Sequence, residues 1–142
     1  MIRSPDTDVE VLSLHHQANI SAALYLEVGG LQNKRVVNIR DVSAELGPTF
    51  CSALPGMHAI TGCDSVSAFS GKGKRLAADL VMGNDTIAQS LADLGTDVPP
   101  REDQMAGIEH FVCQLYKAQT LSINEARYLI FCKMKNKFFI GY

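Results

Sequence analysis

Apolar positions in the first forty residues fall in short extended runs, and beyond Asp41 they recur at helical spacing. Ile2-Arg3 reads as the tail of a strand, because Pro5 biases Ser4 toward extended backbone and the following Asp-Thr-Asp is turn-forming. Val9 to His15 is apolar enough for either a short helix or a strand. Residues Ala22–Val28 and Lys34–Ile39 flank Gly29-Gly30-Leu31-Gln32-Asn33, the composition of a hairpin connection. From Asp41 onward Val42, Leu46, Phe50 and Leu54 predict short helices broken at Gly47-Pro48 and at Pro55-Gly56.

Further along, Arg75–Met82 is predicted as a helix stopped by Gly83, and Asn84 or Asp85 caps the next, Thr86–Leu94, which Gly95 ends. Pro99-Pro100 turns the chain into a helix over Glu102–Tyr116 with Ile108, Phe111, Val112 and Leu115 on one face. The last helix opens on the capping-box spelling Ser122-Ile-Asn-Glu125 and is expected to turn Ala126, Leu129, Ile130 and Met134 inward. The expected fold class is α/β, a short sheet with a hairpin followed by a wholly helical part.

Composition narrows the functional classes. At 142 residues, 46% hydrophobic and 20% charged, the chain is too apolar for a disordered tail and long enough to bury a core without disulfides. Cys51, Cys63, Cys113 and Cys132 show neither C-x-x-C nor zinc-finger spacing and read as free thiols of a reducing compartment. The longest apolar run is far too short for a membrane span, and Arg3, Asp6 and Asp8 stand where a signal peptide needs an apolar core. An intracellular location, the nucleus included, is expected. A net charge of −2 gives no global attraction to nucleic acid, so any such site must be local.

Three local constellations can carry chemistry. Asp6-Thr7-Asp8 places two carboxylates at the end of the first strand, where hard divalent cations find oxygen ligands; the same pair also suits a helix N-cap. Asp64 follows Thr61-Gly62-Cys63 after a small-residue helix and reads either as a third carboxylate or as a turn cap. Gly71-Lys72-Gly73-Lys74-Arg75 leads into a helix, so its glycines and amides can approach a phosphate, although a solvated basic turn has the same spelling. It matches neither a Walker A loop nor a dinucleotide fingerprint. His15, His16, His58 and His110 lack metal-ligand spacing, and Ser4, Ser65 and Cys63 lack a base at any catalytic spacing.

In this order the three constellations resemble the C-terminal portion of a flap-endonuclease-like nuclease domain of the PIN-like superfamily. The resemblance rests on Asp6-Thr7-Asp8, the hairpin, Ile60-Thr61-Gly62-Cys63-Asp64, and Gly71-Lys72-Gly73-Lys74-Arg75-Leu76-Ala77 in a helix-three-turn-helix pattern. Ala53-Leu54-Pro55-Gly56-Met57-His58, Phe111-Val112-Cys113-Gln114-Leu115-Tyr116 and Asn124-Glu125-Ala126-Arg127-Tyr128 are similar to a group of uncharacterised animal proteins, many of them derived from mobile elements. The likeness implies a partial PIN-like core over residues 1–83 and a helical extension over 84–142. It implies Asp6, Asp8 and Asp64 as metal and catalytic residues, Mg²⁺ or Mn²⁺ as cofactor, and Gly71, Lys72, Gly73, Lys74 and Arg75 as contacts to duplex or branched DNA. The implied reaction is phosphodiester hydrolysis, in which two divalent ions clamp the attacking and leaving oxygens.

The family takes further acidic ligands from strands before the Asp-x-Asp, and only five residues precede Asp6 here. The expectation is therefore a truncated relative, incomplete alone, whose N-terminal half comes from a longer product or another chain. The alternatives are a non-catalytic DNA-binding or protein-interaction module, or an inactive fragment of a mobile-element-derived gene.

Overall fold

The computed structural model describes residues 1–30, 33–64 and 66–139, with side chains through residue 135. Leu31 and Gln32 of the hairpin connection, and Ser65, lie outside the described residues. The fold is mixed α/β. The elements run β1 (Ile2–Arg3), α1 (Thr7–His15), a 3-10 turn at Gln17–Asn19, β2 (Tyr25–Val28) and β3 (Arg35–Asn38). There follow α2 (Ile39–Leu46), α3 (Pro48–Ile60), α4 (Lys74–Met82), α5 (Asp85–Ala92), α6 (Glu102–Leu115) and α7 (Ile123–Phe139).

The expected hairpin forms, with β2 and β3 antiparallel in the register Leu26↔Val37 and Glu27↔Val36. On the other side of β2, β1 pairs parallel, Ile2 opposite Leu26, giving the order β1-β2-β3. Parallel neighbours need a crossover, and α1 supplies it. Leu26 and Val28 point to the helices and are buried. Glu27 points the other way, with Lys34 Nζ at 2.9 Å and Arg3 Nε at 3.4 Å. The hydrogen bond from Lys34, helped by the charge of Arg3, holds the Glu27 carboxyl below the usual range.

Val9 to His15, ambiguous by pattern, is helical because Asp6 starts it: the Asp6 side chain accepts from the Asp8 amide at 3.0 Å. Asn38 and Asn84 cap α2 and α5 in the same way. The break at Gly47-Pro48 is present, with Gly47 at φ +81 between α2 and α3. The break expected at Pro55-Gly56 is absent. Proline at 55 removes the amide that would bond the Cys51 carbonyl, and His15 Nδ1, reaching over from α1, donates to that oxygen at 3.3 Å.

Leu26, Ile39, Ile87, Leu91, Phe111 and Leu115 are almost wholly enclosed, so one core joins the sheet to helices on both sides of residue 83. At ~2 kcal/mol for each large apolar side chain, this shared burial is the main force holding them together. Helix α5 lies at its centre, packed on α3 and α6. Both neighbours meet it with glycine: a β-carbon on Gly56 would lie 2.3 Å from the Leu91 carbonyl oxygen, and one on Gly107 would lie 2.0 Å from Ser90 Oγ.

The inward face expected for the last helix is corrected in part. Ala126 is buried and Ile130 half-buried, whereas Leu129 and Met134 are 37% and 55% exposed. Apolar side chains surround α7 on several sides, so its period does not single out one face. Among the described residues no helix is long and apolar enough to cross a membrane.

Candidate functional site

Helices α1 and α3 run antiparallel and are tied at two places. Near one end, buried His58 of α3 donates from Nε2 to Asp8 Oδ1 of α1 at 2.6 Å. Two turns away along both helices is the His15 to Cys51 bond. A carboxylate accepts only, so the first contact places a proton on Nε2 of His58. Asp8 is thereby aimed across the C-terminal end of α3.

There the chain turns sharply. Gly62 sits at φ +99, a backbone open to glycine, and a β-carbon on it would come within 2.7 Å of Ala68. Cys63 and Val66 then exchange two backbone hydrogen bonds, at 3.2 and 3.1 Å, leaving Asp64 exposed in the narrow turn between them. The result is a cleft of about 410 Å³ lined by Asp6, Asp8, His58, Cys63, Asp64 and Lys74 among others. The three aspartates expected to act together therefore share one cleft, although Asp64 comes from a distant part of the chain.

They share it without closing into a ligand cluster. Among the described residues, no group of three or more His, Cys, Asp or Glu side chains is arranged to hold a metal ion. Asp6 Oδ1 caps α1 and Asp8 Oδ1 accepts the hydrogen bond from His58, so each acidic group of this pair already serves the fold with one oxygen.

The basic turn divides in two. Lys74 faces the cleft: its ammonium donates to the Gly62 carbonyl at 2.5 Å, the His58 carbonyl at 3.3 Å and Thr61 Oγ1 at 3.4 Å. It thus covers the carbonyl end of α3, where a cation is favoured by the helix dipole. Burial lowers the Lys74 pKa, while Cys63 and Asp8 pull it back up. Lys72 lies 4.9 Å over the Tyr116 ring and Arg75 is exposed, both at the protein surface. Gly71, at φ +68, makes the bend, and Gly73 precedes the first turn of α4 without a side-chain cap.

Sequence reading left His58 and Thr61 without a role, since their partners lie far away or are backbone atoms. The inward course of Lys74 also had no signal beyond its place at the start of α4. Lys74→Met keeps the aliphatic stem and removes the donor. It is expected to lower stability by about 1–2 kcal/mol, read in a urea melt, with Lys74→Arg losing less. No protein-family model, curated protein or solved structure matches this chain.

Proposed function

We propose that this protein is a nuclease-like module of the PIN-like, flap-endonuclease-like kind, whose Asp6, Asp8 and Asp64 cleft takes a divalent cation beside a nucleic-acid backbone. The observation that carries the reading is the meeting of Asp6 and Asp8, at the start of α1, with Asp64, after α3, in one cleft. Concentrated carboxylates attract Mg²⁺ or Mn²⁺, and three of them leave most of an octahedral shell to water. Binding of one ion by this chain alone is therefore weak, and hydrolysis of a DNA phosphodiester requires further acidic groups from another segment or another chain. Lys72 and Arg75 stand on the same basic turn as the cleft-lining Lys74, at the protein surface, and in this reading supply phosphate contacts that position DNA without reading its sequence.

Titrating Mn²⁺ into ¹⁵N-labelled protein tests the cation site. Amides of residues 6–8 and 62–64 are expected to broaden first, at roughly millimolar Mn²⁺, and Asp64→Asn is expected to remove the effect. Uniform broadening, or none, would overturn the assignment.

A second reading, a DNA-binding module without chemistry, is favoured by the fold-serving roles of the cleft's polar groups: Lys74 covers the carbonyl end of α3, Asp6 caps α1 and Asp8 accepts from His58. It predicts salt-dependent DNA binding whose slope falls by about 2 in the Lys72→Ala/Arg75→Ala variant. Under this reading, nicked or flap DNA stays uncut even when Mg²⁺ is added.

A further inference from the structure

At the end of the α1–α3 pair away from the aspartate cleft, beside the His15 to Cys51 bond, lies a second cavity of about 400 Å³. It opens between the 3-10 turn, α2 and the first turns of α3. Leu14, Ile20 and Pro48 supply apolar lining, and Gln17, Arg40 and Ser43 supply polar groups. Cavities of this size and mixed character take small molecules. One of the polar groups is left unsatisfied by the fold. Gln17 is only 6% exposed, and its side-chain amide reaches the Ile20 carbonyl at 3.4 Å. A carbonyl accepts only, so that end of the amide is Nε2. The other end, Oε1, is a buried acceptor to which no described residue donates. An orphaned acceptor is unfavourable in a buried place, and a bound donor removes the penalty.

Arg40 sets the second requirement. Its Nη2 donates to the Ser21 carbonyl at 2.8 Å, so the guanidinium is anchored on the peptide group next to the one that holds Gln17. Neighbouring carbonyls are about one residue apart, which keeps the guanidinium and the Gln17 amide within ~12 Å, the span of one small molecule. The Ser21 bond uses one of the five guanidinium donors, and among the described residues Arg40 makes no ion pair. No Asp or Glu among the described residues lines the cavity. The site is therefore cationic, and it lacks the carboxylate that a ligand ammonium would need.

We propose that this cavity binds a small hydroxycarboxylate with a branched or aromatic body. The carboxylate pairs with Arg40, the body lies against Leu14, Ile20 and Pro48, and the hydroxyl donates to Gln17 Oε1, a small shift of the Gln17 side chain opening that oxygen to the ligand. Each feature of the lining thus selects a different part of the molecule. The site is separate from the aspartate cleft and does not depend on the nuclease-like reading.

Titrating 3-phenyllactate, 3-phenylpropanoate and phenylalanine into the ¹⁵N-labelled full chain tests each feature. The three probes share a body and a carboxylate and differ at the α-carbon, which carries a hydroxyl, a hydrogen or an ammonium. Phenyllactate is expected to bind with a roughly millimolar Kd, shifting amides of residues 14–20, 40–44 and 48–52. Phenylpropanoate, without the donor, is expected to bind about fivefold more weakly, and phenylalanine no better than phenylpropanoate. Arg40→Gln should weaken both acids about tenfold, and Arg40→Lys, which keeps the charge, should weaken them less. Gln17→Met keeps the length of the side chain and removes the acceptor. It should bring phenyllactate down to the level of phenylpropanoate while phenylpropanoate binds as in the wild type, which shows the cavity still folded. Absence of shifts at about 10 mM phenyllactate, equal constants for the two acids in the wild type, tighter binding of phenylalanine, or a hydroxyl preference that survives in Gln17→Met would overturn the proposal.

Discussion

Gly56→Ala is expected to lower the thermal midpoint by roughly 10 °C, a loss of about 3 kcal/mol. In an open helix the same change would stabilise by nearly 1 kcal/mol, since alanine has the better helix propensity. Here the new methyl would sit 2.3 Å from the Leu91 carbonyl oxygen, a backbone atom of α5 that no rotamer change can move aside. Helices α3 and α5 must then separate along their whole contact, loosening Phe50, Ala53, Leu91 and their neighbours. Differential scanning calorimetry on the variant reads the loss. A midpoint equal to or above wild type would mean that α3 and α5 are farther apart than described.

The second large effect is expected at the site. Gly62→Ala places a side chain at φ +99, where L-residues are strained by ~1–2 kcal/mol, and drives its methyl into Ala68 at 2.7 Å. Strain and collision together predict a loss of about 3 kcal/mol. Gly71→Ala is the matched comparison: its φ is also positive, at +68, but nothing lies within 4 Å of an added β-carbon. Only the strain remains there, so its loss should be near 1 kcal/mol. Urea melts of both variants give the ratio. Equal losses would show that the approach of residues 66–68 to Gly62 contributes nothing. Because the Gly62 carbonyl also receives the Lys74 ammonium, the first variant should disturb amides from His58 to Cys63, which the second leaves in place.

Much of this architecture is written locally. The α/β order, the hairpin, the caps by Asn38 and Asn84 and the glycine stop between α2 and α3 follow from residues within a few positions of each feature. What escaped local reading depended on partners far away. Proline 55 is tolerated because His15, thirty-six positions before Cys51, supplies a hydrogen bond to the Cys51 carbonyl, and no window around Pro55 contains that histidine. The inward face of α7 was misassigned because leucine, phenylalanine, methionine and tyrosine alternate around the helix, so periodicity offers several equivalent answers.

The site divides along the same line. Each aspartate, taken singly, reads equally well as a cap, and Asp6 is one. Their meeting in one cleft depends on the packing of α1 against α3, a tertiary fact that no local pattern carries. His58 stayed invisible for the same reason, its carboxylate partner lying fifty positions away.

The two histidine ties between α1 and α3 share one register. Asp8 and His15 are seven residues apart on one helix, and so are Cys51 and His58 on the other, so both bonds are met by a single antiparallel alignment. One residue inserted between Asp8 and His15 would turn one contact by 100° relative to the other, and a slip by a whole turn would carry Asp6 and Asp8 about 5 Å along α3. These helices can exchange side chains through substitution but not lengths through insertion or deletion. The segment from Asp8 to His15 should therefore keep a constant length wherever this fold recurs, even where its apolar residues change.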